Sequence, residues 1–277
     1  IPRLLDCKDH DHDDQYDAEP NGDVATRAGG GAFVDVWQNG ANAAGTANHV
    51  DAQWTRHLLR LPAAPWGSYV DVRTNAPAVL RHELQGRPPW PIKLCPIVAD
   101  PYQAVEPRYR LTRACLDVLL EADPIPPVLV LTRMAALAED LPRLAALPRA
   151  FVGVSLPTVD DETRRAFEPR AASVAQRLEL LDRIRAAGIH AIAVVQPLLP
   201  GSHDALVSAL CRHADSVSID VLRGEEAAGP LFDDPRYADA RTDAWQLDRA
   251  QRLAHELRAR GVAVWHGELP PALGAPS

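Results

Sequence analysis

Short apolar runs and helical stripes alternate along most of this chain, and that alternation sets the expected fold. The runs are Phe33–Trp37, Tyr69–Arg73, Ile92–Val98, Val128–Thr132, Phe151–Leu156, Ala191–Pro197, Val217–Leu222 and Val262–His266. Most are almost continuously apolar rather than alternating, the pattern of parallel strands covered on both faces. Between them, apolar positions recur with the helical period. Val174, Leu178, Leu181 and Ile184 make one stripe, and Leu247, Ala250, Leu253 and Leu257 make another. Ser173 and Gln176 have capping-box spacing; Gly188 closes that helix and Gly261 closes the last one. Strand–helix units of this length predict right-handed crossovers and a parallel sheet. Roughly eight units predict an α/β fold, a partial or closed parallel (β/α) barrel of the TIM type. A doubly wound open sheet is the alternative.

Residues 1–31 break the pattern. They are polar, acidic and glycine-rich, contain Asp9-His10-Asp11-His12-Asp13-Asp14, and end in Gly29-Gly30-Gly31. This predicts a flexible arm ahead of a single barrel domain over residues 32–277. His10 and His12 are weak candidate metal ligands. Adjacent, alternating ligands on a flexible strand define no cavity, so a solvated acidic arm is the favoured reading.

Composition narrows the class. The chain has 277 residues, 47% of them hydrophobic, enough for a sizeable core. A net charge of −8 disfavours nucleic acid as a partner. The four cysteines, Cys7, Cys95, Cys115 and Cys211, are too scattered for a disulfide framework. Cys95 and Cys115 read as small buried hydrophobes. No apolar run approaches the ~20 residues that cross a bilayer. The first residues lack a signal peptide's basic start and apolar stretch, so the expected compartment is the cytoplasm, away from membranes.

In a parallel barrel, chemistry collects at the carboxyl ends of the strands. After the third run, Asp100, Tyr102 and Glu106 bring two carboxyls and a phenol to the mouth and are the candidate catalytic groups. The plainer reading is a turn, with Asp100 as a helix N-cap and Pro101 at N1. Arg133 follows the fourth run, Ser155 lies at the end of the fifth, and Glu168 and Arg170 precede the capped helix. His203 follows the sixth run. The loop 38–49 is built of small residues and lacks the Lys-Ser/Thr ending of a phosphate loop. Trp54 and Trp66, in the irregular segment 49–68, are expected to cover the rim.

Taken in order, these segments resemble the radical S-adenosylmethionine (SAM) proteins of the spore photoproduct lyase type. The matching pieces are Arg73-Thr74-Asn75-Ala76-Pro77, Ala99-Asp100-Pro101-Tyr102-Gln103 with Glu106, and Tyr109-Arg110-Leu111-Thr112-Arg113. Val154-Ser155-Leu156, Glu168-Pro169-Arg170, Arg177-Leu178, Ala187-Gly188-Ile189 and Pro197-Leu198-Leu199-Pro200-Gly201 follow. The resemblance implies a radical SAM-like barrel that binds SAM beside a 4Fe-4S cluster. That cluster is held by three cysteines, spaced Cys-x-x-x-Cys-x-x-Cys, in the loop after the first strand. Aligned on Trp37-Gln38 and Gly40, the three positions here are Ala41, Gly45 and Asn48. The spacing survives and the thiolates do not, so the cluster is expected to be absent and the family's radical has no source.

Smaller departures accompany this one. Ala99 replaces the usual Thr, Arg133 replaces a usual Lys, and Ala43 and Ala47 stand where the family often has His and Tyr. The dispersed changes point to natural divergence. By the same resemblance, Ser155, Arg133, Glu168, Arg170 and Tyr102 lie on the SAM side and are the candidate cofactor-binding residues. SAM or a related nucleoside remains the candidate ligand; no other cofactor is indicated. The function expected is that of a pseudoenzyme, acting as the partner of an active enzyme or as a small-molecule-binding protein. The alternative is an enzyme with altered, non-radical chemistry at the mouth, using Asp100, Tyr102, Glu106, Arg133 and His203.

Overall fold

The computed structural model of the chain describes residues 37–39, 70–72, 74–86, 89–95, 100–221, 229–266 and 270–271. Its first two strands, β1 (Trp37–Asn39) and β2 (Val70–Val72), pair with each other in antiparallel register, Trp37 opposite Val72. Of the run expected at Phe33–Trp37, residues 33–36 lie outside the described residues; the strand expected at Tyr69–Arg73 is described at Val70–Val72, where it pairs antiparallel instead of opening the parallel sheet. Parallel neighbours need a long crossover, usually a helix, and antiparallel ones do not.

The remaining strands form the main sheet. They are β3 (Ile92–Leu94), β4 (Val128–Thr132), β5 (Ala150–Ser155), β6 (His190–Val195), β7 (Ser216–Ile219) and β8 (Ala263–Trp265). They lie in the order β3-β4-β5-β6-β7-β8, each parallel to its neighbour. Around them run α1 (Ala76–Glu83), α2 (Glu106–Tyr109), α3 (Leu111–Leu120), α4 (Leu141–Ala146), α5 (Asp161–Phe167), α6 (Val174–Ala186), α7 (His203–His213) and α8 (Asp243–Ala259).

One face of the sheet carries Ile92, Val128, Val130, Val152, Val154, Ala193 and Val217, which pack with Leu116, Leu181, Ile184, Leu210 and Leu253 of the helices in one core. The other face carries Leu129, Ile192 and Trp265, flanked by Leu131, Phe151 and Val194, all strand residues. Among the described residues, helices on one face and strands in consecutive order make a singly wound sheet. A doubly wound sheet would have helices on both faces and a reversal of strand order. Among the described residues β3 and β8 do not pair, so the sheet is a partial barrel of the TIM type.

The inner face closes tightly at Gly153. A Cβ there would collide with Leu131 Cδ2 and come within 3.2 Å of Val194 Cγ2. Glycine in mid-strand is explained here by close approach of neighbouring side chains rather than by backbone freedom.

The helix signals behave as the sequence predicts at their ends. Ser173 Oγ accepts the Gln176 amide at 3.3 Å, and Gln176 Oε1 accepts the Ser173 amide at 2.9 Å. Gly188 and Gly261 take the left-handed conformation at φ +75° and +79°. The buried stripes differ from the expected ones. In α6 the buried face is Val174, Arg177, Leu180, Leu181 and Ile184, with Leu178 only half-buried. In α8 it is Gln246, Ala250, Leu253, Ala254 and Leu257, with Leu247 50% exposed. No described helix is long and apolar enough to cross a membrane.

Candidate functional site

Past the end of β3, Asp100 turns its carboxylate inward. Oδ1 accepts the Tyr102 amide at 2.9 Å and the Thr132 hydroxyl at 2.6 Å; Oδ2 accepts the Arg133 amide at 2.8 Å. The bond to the amide two residues on is the short-range turn that Asp favours. Asp100 therefore does not cap a helix, as the turn reading had it: the next helix, α2, starts at Glu106. Asp100 ties the turn to the end of β4, and Thr132 Oγ1 passes the link on by accepting the Met134 amide at 3.0 Å. Burial raises the Asp100 pKa, while Arg133 and these donors oppose the shift.

From Arg133 a chain of ion pairs crosses the strand ends. Its Nη1 lies 3.4 Å from Glu168 Oε1, and Arg177 Nη2 donates to Glu168 Oε2 at 2.6 Å. Arg177 also donates from Nη1 to the Ser155 carbonyl and from Nε to the Ala172 carbonyl, both at 2.9 Å. The Ala172 amide in turn donates to the Arg133 carbonyl at 3.2 Å. Arg164 Nη1 donates to the carbonyls of Glu168 and Ala171 at 3.1 and 3.2 Å. Three guanidiniums thus fasten the loop 168–172 across the ends of β4 and β5. Burial lowers the pKa of Arg177, and Glu168 counters it. A planar fork with five donors is the side chain suited to such a junction.

The structure brings Asp100, Arg133, Glu168 and Ser155 into this one network, Ser155 through its carbonyl. Arg133 and Ser155 remain partly open, as a ligand contact requires. Tyr102 is 2% exposed, and among the described residues its hydroxyl meets no partner at good hydrogen-bond geometry. Burial and the carboxylates of Asp140, Glu106 and Asp100 push its pKa well above 10. Glu106 lies behind the turn and is 6% exposed. Arg170 is exposed and stands outside the network. His203 lies elsewhere, its Nε2 at 2.9 Å from Glu256 Oε1 of α8. Ala41, Gly45, Asn48, His10, His12, Trp54 and Trp66 lie outside the described residues.

Sequence reading did not single out Thr132, Arg177 or Gln246 as site residues. The signal for Arg177 was present: it sits three residues after Val174 and four before Leu181, a charge inside an apolar stripe. Gln246 is 1% exposed and pins the loop after β6, donating from Nε2 to the carbonyls of Leu198 at 3.0 Å and Ala240 at 2.7 Å.

Three comparisons place these features. Residues 102–214 match the family model of the Radical SAM superfamily. Uncharacterized proteins of Mycobacterium bovis and Mycobacterium tuberculosis are 36% identical over 144 residues. That match spans 50% of this chain and 42% of each mycobacterial protein, so the chain covers less than half of those relatives' length. Among solved structures, a mutant spore photoproduct lyase with dinucleoside spore photoproduct superposes with a TM-score of 0.54 at 13% identity, over 85% of this chain and 76% of that one. A second mutant of that lyase gives 0.52 at 14% identity, over 74% and 71%. At such identities the likeness is one of fold. Residues 102–214 are thus similar in sequence to the Radical SAM superfamily, and the fold is that of spore photoproduct lyase.

Proposed function

We propose that this chain is a cluster-less radical SAM-type barrel that works by binding, as the partner of an active enzyme or as the receptor of a small nucleoside-like ligand. The observation that carries this is the donor set. The positions aligned with the family's cluster cysteines are Ala41, Gly45 and Asn48. Methyl, bare backbone and carboxamide do not replace thiolates on iron. The other cysteines do not make up the set: Cys7, outside the described residues, would supply a single thiolate where three are needed. Cys95 and Cys115 are 5% and 0% exposed, and burial pushes the Cys115 thiol up to about 12. Cys211 sits on α7, on the outer helical layer. The residues present therefore do not fit a four-iron cluster, and no step of a reaction is routed through one.

The buried positions of Asp100, Tyr102 and Glu106 support the same reading over altered, non-radical catalysis. A catalytic acid or base has to reach the proton it moves, and these three side chains face inward. Arg133 and Ser155 are the groups left to meet a ligand such as SAM. In this reading the protein acts in the cytoplasm, away from membranes and nucleic acid.

The test is anaerobic reconstitution with iron and sulfide, followed by iron analysis, visible absorbance and EPR. The expected result is no stoichiometric cluster, with titration calorimetry then reporting whether SAM binds without it. A reducible cluster of four irons per chain would overturn the proposal.

A further inference from the structure

Glu106 is a buried carboxyl that, among the described residues, has no cation of its own. Its Oε1 accepts the Arg113 amide at 3.3 Å in the first turn of α3. Its Oε2 is buried and has no hydrogen-bond partner. Among the described residues, the titratable and charged groups that bear on it come from its own turn, α3, the following 3-10 helix and α4. Asp140 of the 3-10 helix Ala135–Asp140, the Tyr102 phenol of its own turn, and Arg113 and Cys115 of α3 act on it directly; Asp100 reaches it through Tyr102, Glu139 through Arg113, and Arg143 of α4 through Asp140.

Both guanidiniums of this group are committed elsewhere. Arg113 donates from Nε to Asp140 Oδ1 at 2.7 Å and from Nη2 to Glu139 Oε2 at 3.2 Å. Arg143 donates to Asp117 Oδ1 at 2.6 Å and lies 3.6 Å from Asp140 Oδ1. Among the described residues, the groups that remain beside Glu106 are the Tyr102 phenol, the Cys115 thiol and the Asp140 carboxylate. Backbone amides of α3 favour the charged form, but burial outweighs them and Asp140 adds to it, so the carboxyl is pushed up to about 7.

We propose that Glu106 is a proton-operated latch on the barrel rim, holding the turn 100–106 against α3 while protonated and loosening both when it ionises. The turn leads directly into the rim: Asp100 holds the Arg133 amide, and Arg133 meets Glu168. The proposal concerns the fold itself and stands whatever the mouth binds. An acid whose pKa is raised on folding stabilises the fold fully below its unfolded value, and that contribution is lost as pH rises through the folded value. Here the window runs from the ordinary 4.5 to about 7.

The experiment compares the wild-type chain with Glu106→Gln, a neutral stand-in for the protonated acid. Melting temperatures are read from pH 5.5 to 8.5. Relative to the variant, the wild type should lose roughly 3 °C or more across that range. In the wild type, amide exchange protection at residues 111–114, corrected for intrinsic rates, should fall several-fold over the same interval. Parallel melting profiles for the two proteins overturn the proposal. Should the variant not fold, the Glu106 carboxyl resonance of the wild type decides alone: a midpoint near 7 supports the latch, and one below 5 removes it.

Discussion

Glu168 accepts from two arginines that differ in burial. Arg177 has a side chain 1% exposed, and it holds the carbonyls of Ser155 and Ala172 as well as the carboxylate. Arg133, at 18%, still faces the mouth. Arg177 is enclosed by the carbonyls it braces, and Arg133 stays partly open beside Glu168. Replacing Arg177 by Met keeps much of the volume but strands two carbonyls and half of a buried carboxylate. Breaking one side of a buried pair typically costs about 3–5 kcal/mol. Urea denaturation of Arg177→Met should show a loss of that order. Adding Glu168→Gln should recover part of it, giving a coupling energy in the double-mutant cycle. A loss under about 1 kcal/mol, the usual worth of an exposed pair, would mean the junction holds nothing together.

At the scale of elements, α6 and α8 share a feature. In each, a polar residue takes the place at the sheet that the neighbouring leucine would be expected to fill: Arg177 rather than Leu178, Gln246 rather than Leu247. Periodicity defines a helical face only to within a residue or so. Which residue turns inward depended on the carbonyls waiting there, Ser155 and Ala172 for one helix, Leu198 and Ala240 for the other. A buried carbonyl without a donor is costly enough to outrank one leucine. In the sheet, β4, β5 and β6 meet at Gly153, where Leu131 and Val194 fill the space over the glycine. Gly153→Ala should destabilise by about 1–3 kcal/mol, the usual cost of overpacking. Thermal unfolding followed by circular dichroism tests this; an unchanged melting temperature would show that Leu131 swings aside freely.

For the whole molecule, a formal charge of −8 sets the long-range field. Affinity for nucleic acid comes mostly from cations on phosphates, and the arginines at the rim are largely spent on Glu168, Asp161 and backbone carbonyls. Fluorescence anisotropy with labelled duplex and single-stranded oligonucleotides at 150 mM salt, roughly physiological, should show no binding. Saturable binding that weakens steeply with added salt would contradict that expectation. The class of fold was legible in the sequence because apolar runs, helical stripes, capping box and terminal glycines are local patterns, each imposed by backbone hydrogen bonding and burial within a few residues. That Ala41, Gly45 and Asn48 carry no thiol is likewise a matter of residue type and is read directly from the sequence. Three things were decided only by the assembled fold. Helices pack on one face of the sheet, so it is singly wound. β1 pairs with β2 instead of joining it. Asp100, Glu106 and Tyr102 point inward, while Arg133 stays open. The reason is the same in each case: burial and partnership are properties of residues far apart in the chain, and no local pattern carries that information.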